Sequence, residues 1–170
     1  MARLFLALWP PGPAREALGA LARRVADETG GRAVPAANLH LTLAFLGEVD
    51  PVREARIPVA VGGIDAPAFE LTLERLGAFS KTGVAWAGCA SVPPALASLQ
   101  AQIDARLREA GFDLERRPFA PHLTLARRIA KPPGRRDIDA VSWRVEAFSL
   151  VESAREKGGY RERAAWRLRR

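Results

Sequence analysis

The chain has 170 residues, of which 48% are hydrophobic and 26% charged. This is typical of one domain that folds without disulfides or structural metal ions. Its single Cys89 excludes an internal disulfide, and one cysteine with two histidines is too few for the usual four-ligand zinc site. The net charge of +7 favours an anionic partner, although arginines scattered by a biased composition would give the same total.

The chain begins with one predicted strand and one predicted helix. Residues 4–9 form an apolar run that Pro10 and Pro11 stop, too short for a signal peptide or a membrane span, and we expect a strand there. Residues 14–28 have apolar positions at helical spacing and predict an amphipathic helix. Residues 50–66 begin like a helix, but Pro58 and a Gly-Gly pair interrupt it, so no element is assigned.

The remainder of the chain, after residue 66, contains further strands and a second helix. Residues 92–111 predict a second amphipathic helix with Gly111 as its C-cap. Residues 130–137 and 153–163 have the composition of a loop and of a polar hairpin connection. The period-two segments predict strands at 69–74, 84–90, 143–153 and 164–170. This order of elements predicts an α+β fold with antiparallel sheets and segregated helices.

The pentapeptide HLTLA occurs twice, at residues 40–44 and 122–126, and its copies contain both histidines of the chain, His40 and His122. Each copy follows one of the two predicted helices, which indicates a duplicated lobe. We therefore expect one two-lobed domain over residues 1–170, with one motif per lobe. The two motifs occupy residues 40–43 and 122–125.

The repeated motif carries groups suited to chemistry at phosphorus. On a strand, His40 shares a face with Thr42, and His122 shares a face with Thr124. Two imidazoles can act as base and acid in one displacement, and the threonine hydroxyls can donate to the non-bridging oxygens. Arg127 can add a cation, but it lies three residues beyond Thr124 and needs a bulge or a strand end to reach the same face.

These motifs and their flanks resemble the two-histidine phosphoesterase superfamily, whose signature is two His-x-Thr-x motifs. The closer resemblance is to the RNA 2′,3′-cyclic phosphodiesterases, long known as 2′-5′ RNA ligases. The segments that carry it are RLFLALWP, VPAANLHLTLAFLGEV, VAWAG, RPFAPHLTLAR and FSLVESAREKGGYRERAAWRL. The resemblance implies a bilobal α+β fold, in which two pseudo-symmetric antiparallel sheets flanked by helices form a central V-shaped cleft.

The resemblance also implies residue roles and a reaction. It makes His40 and His122 the catalytic pair and Thr42 and Thr124 the phosphate ligands, and it places Arg127 near the phosphate. The implied reaction is metal-free hydrolysis of a terminal 2′,3′-cyclic phosphate to a 2′-phosphate, with reversible 2′-5′ joining. Family analogy favours His122 as base and His40 as acid, but two identical copies do not order them.

Aromatic side chains near the motifs are candidates for stacking on a terminal base. Tyr160, in the polar connection, is better placed for this than Phe45 and Phe119, since phenylalanines more often belong to the core. We therefore include Tyr160 with Thr42, Thr124 and Arg127 among the predicted substrate-binding residues.

Three alternatives remain open at this stage. The cleft could act on a small cyclic nucleotide in place of an RNA end, or the protein could bind RNA ends without catalysis. A metal site with both histidines as ligands is the third, although neither motif contains a carboxylate. We expect a cytoplasmic monomer without a cofactor or membrane contact, with RNA ends or small cyclic nucleotides as its partners.

Overall fold

The structure is a computed structural model that describes residues 1–154 and 158–170. It confirms the α+β class. The described residues form nine strands, four α-helices and one 3₁₀ turn (Ala36–Asn38). In chain order, the strands and helices are β1 (Ala2–Leu8), α1 (Gly12–Thr29), β2 (Arg32–Ala33), β3 (Leu41–Val49), α2 (Pro51–Glu54), α3 (Arg56–Val61), β4 (Phe69–Phe79), β5 (Val84–Gly88), α4 (Pro94–Glu109), β6 (His122–Arg127), β7 (Arg136–Val145), β8 (Ala147–Ala154) and β9 (Gly159–Arg167).

All the named strands pair in antiparallel fashion, in the order β7-β4-β5-β6-β3-β1-β8-β9, and the short β2 lies beside β6. The two motif strands, β3 and β6, are neighbours at the centre of this order. They meet at a single residue pair, Leu41 and Leu123. The two sheets that the resemblance implies therefore correspond to two four-stranded halves, joined where the two motifs begin.

The helices α1 and α4 bury their apolar faces against the sheet as the spacing predicted. Helix α1 contacts β6, whereas α4 contacts β3, so each motif strand is backed by the helix that precedes the other motif. Gly30 ends α1 in the left-handed conformation (φ 71°), which glycine adopts without a steric cost. Each fully buried leucine of these faces contributes roughly 1.5–3 kcal/mol. The buried large apolar residues are Leu18, Leu21, Val25, Leu96, Leu99, Ile103 and Leu107.

Strand β1 shows how the sheet separates the core from a second surface. Its alternate residues Leu4, Leu6 and Leu8 enter the main core, whereas Phe5 and Ala7 belong to a smaller apolar cluster. Trp9 and Tyr160 pack on this smaller cluster. Because successive side chains of a strand point to opposite faces, this second surface lies on the side of the sheet away from the main core.

The segment left unassigned, residues 50–66, contains the short helices α2 and α3. Asp50 caps the first helix by accepting a hydrogen bond of 2.9 Å from the backbone N–H of Arg53. Pro58 does not end a helix, because it lies inside α3. Its missing N–H leaves the carbonyl of Glu54 without the helical partner four residues later, which explains the interruption at Ala55.

Two predicted boundaries at the end of the chain were wrong. Strand β7 begins at Arg136, inside the segment expected to be a loop. The single strand expected at residues 143–153 is divided at Glu146, because β7 pairs with β4 whereas β8 pairs with β1. The sequence carries a sign of this division, because the alternation of apolar residues shifts from odd-numbered to even-numbered positions at Glu146. The residues that show it by their burial are Trp143 and Val145 before the division and Phe148 and Leu150 after it.

The polar connection expected at residues 153–163 is shorter than predicted. Strand β8 continues to Ala154 and β9 begins at Gly159, so most of the segment belongs to strands. Residues 155–157 of this connection lie outside the described residues. No helix in the described part of the chain is long and apolar enough to cross a membrane.

Candidate active site

The register of β3 and β6 brings the two motifs together. Leu41 is paired with Leu123, and both side chains are fully buried in the main core. In an antiparallel pair the flanking residues then fall opposite one another, with His40 beside Thr124 and Thr42 beside His122. The four polar side chains therefore lie on the face of the sheet away from the main core.

Both imidazoles are held in the same way. Nδ1 of His40 donates a hydrogen bond of 2.7 Å to the carbonyl of Asn38, and Nδ1 of His122 donates one of 2.9 Å to the carbonyl of Ala120. A carbonyl oxygen can only accept, so Nδ1 carries the proton in each ring. Nε2 is then the nitrogen of each histidine that gains or loses a proton.

The surroundings of His40 are aromatic. Ring centroids of Phe5, Trp9 and Tyr160 lie 4.9, 5.7 and 5.0 Å from that of His40. Asn38 also links the turn before His40 to the β8–β9 connection, because its side-chain amide donates a hydrogen bond of 3.1 Å to the carbonyl of Gly158. Tyr160 thus lies beside His40 and packs edge-on against its imidazole.

Burial is the main cause that lowers the pKa of His40 below the usual histidine value. The carbonyl of Asn38 opposes this effect by stabilising the imidazolium, whereas the charges of Arg127 and His122 strengthen it. The electrostatic influence of these two residues on His40 agrees with a site in which all three lie close together. In the free protein, this environment favours the neutral form of His40.

The surroundings of His122 differ from those of His40. Phe79, the last residue of β4, lies edge-on to the His122 ring. The two ring centroids are 5.0 Å apart, and the ring planes are at 90° to each other. Phe79 also lies 5.6 Å from Trp86 and is 39% exposed. Sequence analysis missed Phe79, and also Phe5 and Trp9 beside His40. Phe79 and Phe5 come from other strands and Trp9 directly follows β1, so only the pairing of the strands could have identified them.

The threonine hydroxyls of both motifs are available for a ligand. Thr42 and Thr124 are half-buried, and within the described chain neither hydroxyl makes a hydrogen bond. Their hydroxyls therefore have the donor capacity that the predicted phosphate contact requires.

Arg127 meets the bulge condition stated above. Trp86 of β5 is opposite Thr124, but the next residue back, Ala85, is opposite Ala126, so Leu125 is an extra residue in β6. Leu125 and Ala126 are consequently both fully buried, and Arg127 is exposed on the face of Thr124. Its side chain makes no ion pair or hydrogen bond with any described residue.

The first motif has the same bulge with a different residue after it. Ala7 is opposite Thr42 and Leu6 is opposite Ala44, which makes Leu43 the extra residue. Phe45 thus holds the position that corresponds to Arg127; it is 49% exposed, and the Arg3 guanidinium lies 5.1 Å from its ring. Phe119, the other stacking candidate, is half-buried and packs against the main core.

No cluster of three or more histidine, cysteine, aspartate or glutamate side chains occurs within residues 1–154 and 158–170. The two histidines therefore have no third ligand of these types in the described part of the chain. A metal ion at this site would have to take its other ligands from elsewhere.

We expect the imidazole of His40 to titrate below the ordinary histidine value of about 6.5, because burial disfavours its charged form. The chain has two histidines, so two Cε1 signals in a ¹H–¹³C spectrum report both rings, and His122→Asn assigns them. Arg127→Gln should raise the pKa of His40, since the guanidinium disfavours a second positive charge. A midpoint of His40 at or above 6.5, or no upward movement in Arg127→Gln, would contradict this environment.

Comparison with known proteins identifies relatives over nearly the whole chain. The family model of the 2′-5′ RNA ligase superfamily matches residues 10–157. The RNA 2′,3′-cyclic phosphodiesterase of Escherichia coli (strain K12) is 35% identical over 161 residues, which cover 92% of this chain and 89% of that protein. The enzyme of the same name from Archaeoglobus fulgidus is 32% identical over 153 residues, which cover 88% and 85%.

Solved structures agree with this relationship. The crystal structure of E. coli LigT complexed with 3′-AMP has a TM-score of 0.89 and 34% identity to this chain, and the match covers 99% of both chains. A crystal structure described as a phosphoesterase has the same TM-score at 33% identity and the same coverage.

Proposed function

Because this chain belongs to the 2′-5′ RNA ligase superfamily, we propose that it is an RNA 2′,3′-cyclic phosphodiesterase whose catalytic pair is His40 and His122. It opens a terminal 2′,3′-cyclic phosphate to a 2′-phosphate and catalyses reversible 2′-5′ joining. The observation that carries the residue assignment is the arrangement of two imidazoles beside two threonine hydroxyls, with neither the Nε2 atoms nor the hydroxyls hydrogen-bonded to any described residue. Residues 1–170 form one two-lobed domain with one motif per lobe.

In the proposed hydrolysis, Nε2 of one histidine takes a proton from water as the water oxygen attacks phosphorus. The bond from phosphorus to O3′ breaks, and the other histidine gives its Nε2 proton to O3′. The phosphate stays on O2′, which yields the 2′-phosphate. A positioned base and a positioned acid each contribute about 10²–10⁴-fold to such a reaction.

We assign the base to His122 and the acid to His40. The His122 ring is partly exposed and meets the ring of Phe79 edge-on. The aromatic rings around His40 instead suit the nucleoside that carries O3′. The lowered pKa of His40 makes its imidazolium a stronger acid, and the negative charge of a bound phosphate favours the protonated form that the reaction needs.

The remaining groups hold the phosphate. Thr42 and Thr124 donate hydrogen bonds to the non-bridging oxygens, and Arg127 neutralises the charge that grows on them in the transition state. Tyr160, packed edge-on against His40, contacts the terminal nucleoside. We propose RNA ends as the substrates of this site. All of its proposed catalytic and substrate-binding residues belong to one chain, so a monomer is sufficient. We place the enzyme in the cytoplasm, which the lone Cys89 supports.

The test of this function is turnover of a short 5′-labelled RNA that ends in a 2′,3′-cyclic phosphate, with EDTA present. We expect a product with a 2′-phosphate, which migrates apart from the 3′-phosphate standard and which phosphatase converts to a free end. A 3′-phosphate product would contradict the assigned leaving group, and loss of activity in EDTA would contradict metal-free catalysis. If this RNA is not hydrolysed at all, small cyclic nucleotides become the substrates to test.

A further inference from the structure

The strand ends beside His122 carry an aromatic surface that hydrolysis does not use. Phe79 bridges the His122 ring, 5.0 Å away, and the Trp86 ring, 5.6 Å away. Phe79 is 39% exposed and Trp86 is partly exposed, so a ligand can reach this surface. We call Phe79 and Trp86 the aromatic shelf. Water, the nucleophile of hydrolysis, makes no use of such a shelf.

The position of Trp86 on the sheet depends on two glycines. A Cβ atom on Gly77 would lie 2.4 Å from Cζ2 of the indole, and one on Gly88 would lie 2.9 Å from its Cζ3. The ring therefore occupies space that any other residue at Gly77 would fill. Its Nε1 is buried and has no hydrogen-bond partner in the described chain, a cost that a phenylalanine would avoid. The site therefore accommodates the large flat indole ring although its buried N–H is not hydrogen-bonded to a described residue.

Two basic residues lie in the segments that follow β4 and β6, next to the strand that carries Trp86, and we call them the basic rim. Lys81 lies in the turn that follows Phe79, and Arg128 follows the end of β6. The backbone N–H of Ile129 donates a hydrogen bond of 3.2 Å to the carbonyl of Gly83. This bond joins the segment after β6 to the turn between β4 and β5. Neither Lys81 nor Arg128 forms an ion pair or a side-chain hydrogen bond with a described residue.

The backbone at Arg128 is also unusual. Its φ of 53° makes it the only non-glycine residue with a positive φ in the described part of the chain. Side chains in this conformation are strained, and such residues cluster at ligand-binding sites. Exposed aromatic rings beside unpaired cations form the combination that binds single-stranded nucleic acid by stacking on bases and contacting phosphates.

We propose that the aromatic shelf and the basic rim bind the 5′-hydroxyl end of a second RNA in the joining reaction. This inference rests on the proposed function, with His122 as base. The nucleophile must approach phosphorus on the side of the base, and in joining that nucleophile is a nucleoside 5′-oxygen. The shelf stacks the base of this nucleoside, and Lys81 and Arg128 contact the phosphates that follow it.

The joining step balances without a further reactant. The 5′-oxygen forms a bond to phosphorus while its proton moves to Nε2 of His122. The bond from phosphorus to O3′ breaks, and O3′ receives the Nε2 proton of His40. The product contains a 2′-5′ linkage, and the two histidines have exchanged protonation states, which solvent restores.

The experiment compares joining with hydrolysis in the same tube. An RNA that ends in a 2′,3′-cyclic phosphate is mixed with excess 5′-hydroxyl RNA, and the initial rates of the 2′-5′ product and of the 2′-phosphate product are measured. The shelf variants are Phe79→Leu, which keeps apolar volume without an aromatic face, and Phe79→Trp, which restores one. Lys81→Gln tests the rim, and Arg106→Gln, on the exposed side of α4, is the control with the same loss of charge.

We expect Phe79→Leu to lower the ratio of joining to hydrolysis roughly 5- to 150-fold, the range given by the loss of one base–aromatic stack. Phe79→Trp should restore the ratio. Lys81→Gln should lower it and reduce its dependence on salt, whereas Arg106→Gln should change neither.

Two results would overturn the subsite while leaving the proposed function intact: equal loss of both products in Phe79→Leu, and a ratio that Lys81→Gln does not change. Wild-type hydrolysis with no joining would overturn the subsite together with the joining half of the proposed function, and it would leave hydrolysis as the activity. Equal loss of both products would instead show that Phe79 positions His122 or holds the cyclic-phosphate strand. A wild-type protein that hydrolyses no cyclic-phosphate RNA would refute the proposed function itself.

Discussion

His40→Ala and His122→Ala should each lower kcat for a cyclic-phosphate RNA by about 10²–10⁴-fold, because each removes one of the two groups that transfer a proton at Nε2. No other histidine exists in the chain to replace the lost ring. The double variant should have a kcat only slightly below that of the less active single variant. The effects of removing an acid and a base that act in one displacement on kcat are not additive. Single-turnover rates with saturating enzyme measure this loss separately from substrate binding.

The controls for this prediction must separate chemistry from folding. His40 packs among three aromatic rings, so its truncation leaves a cavity; His40→Gln retains more of the volume and still cannot act as an acid. Thermal melts should show both proteins folded at the assay temperature. Each variant should still bind the RNA. A variant that keeps more than a tenth of wild-type kcat would show that its histidine is not an acid or a base in this reaction.

The elements that sequence analysis predicted correctly are those specified by local periodicity. Helices α1 and α4 and strand β1 each carry their own apolar pattern, and the alternation within HLTLA separates Leu41 from His40 and Thr42. These faces depend only on the period of a strand or helix. Each histidine was therefore predictable as sharing a face with the threonine of its own motif before any pairing of strands was known.

The features that were missed depend on which strands pair and in which register. Phe79 reaches His122 only because β4, β5 and β6 are consecutive neighbours, an arrangement that no local pattern encodes. The division at Glu146 likewise appears as a change of partner from β4 to β1. The bulge at Leu125 was foreseen as a requirement for Arg127, but its existence became visible only in the register with β5.

The two copies of HLTLA have the same local geometry and different surroundings. Each strand has its bulge at the same place, and each histidine donates from Nδ1 to the carbonyl two residues before it. Neither threonine hydroxyl is hydrogen-bonded to a described residue. The residue after the bulge is Phe45 in one copy and Arg127 in the other. In the function we propose, the duplication would provide two equivalent proton-transfer groups, and the divergence of their neighbours would give the two groups different roles.

Arg127→Gln should lower kcat by about 10²–10³-fold with a smaller change in KM, because the cation is most needed where negative charge increases in the transition state. Phe45 replaces it in the other lobe, so the duplicated position supplies no second cation to compensate. Arg127→Lys should recover part of the loss, since it restores the charge but not the two-pronged donor geometry of a guanidinium.

Arg106→Gln, with the same loss of charge on the helical side, should leave kcat unchanged, and it controls for the effect of net charge on RNA affinity. The same Arg127→Gln protein should show the raised pKa of His40, because Arg127 now lowers it. The two readouts together separate a direct contact with phosphate from an effect on the acid alone. A raised pKa increases the fraction of His40 in the protonated form that the reaction needs, so an effect through His40 alone would not lower kcat. If kcat does not fall in Arg127→Gln, Arg127 acts through that histidine and does not bind the phosphate.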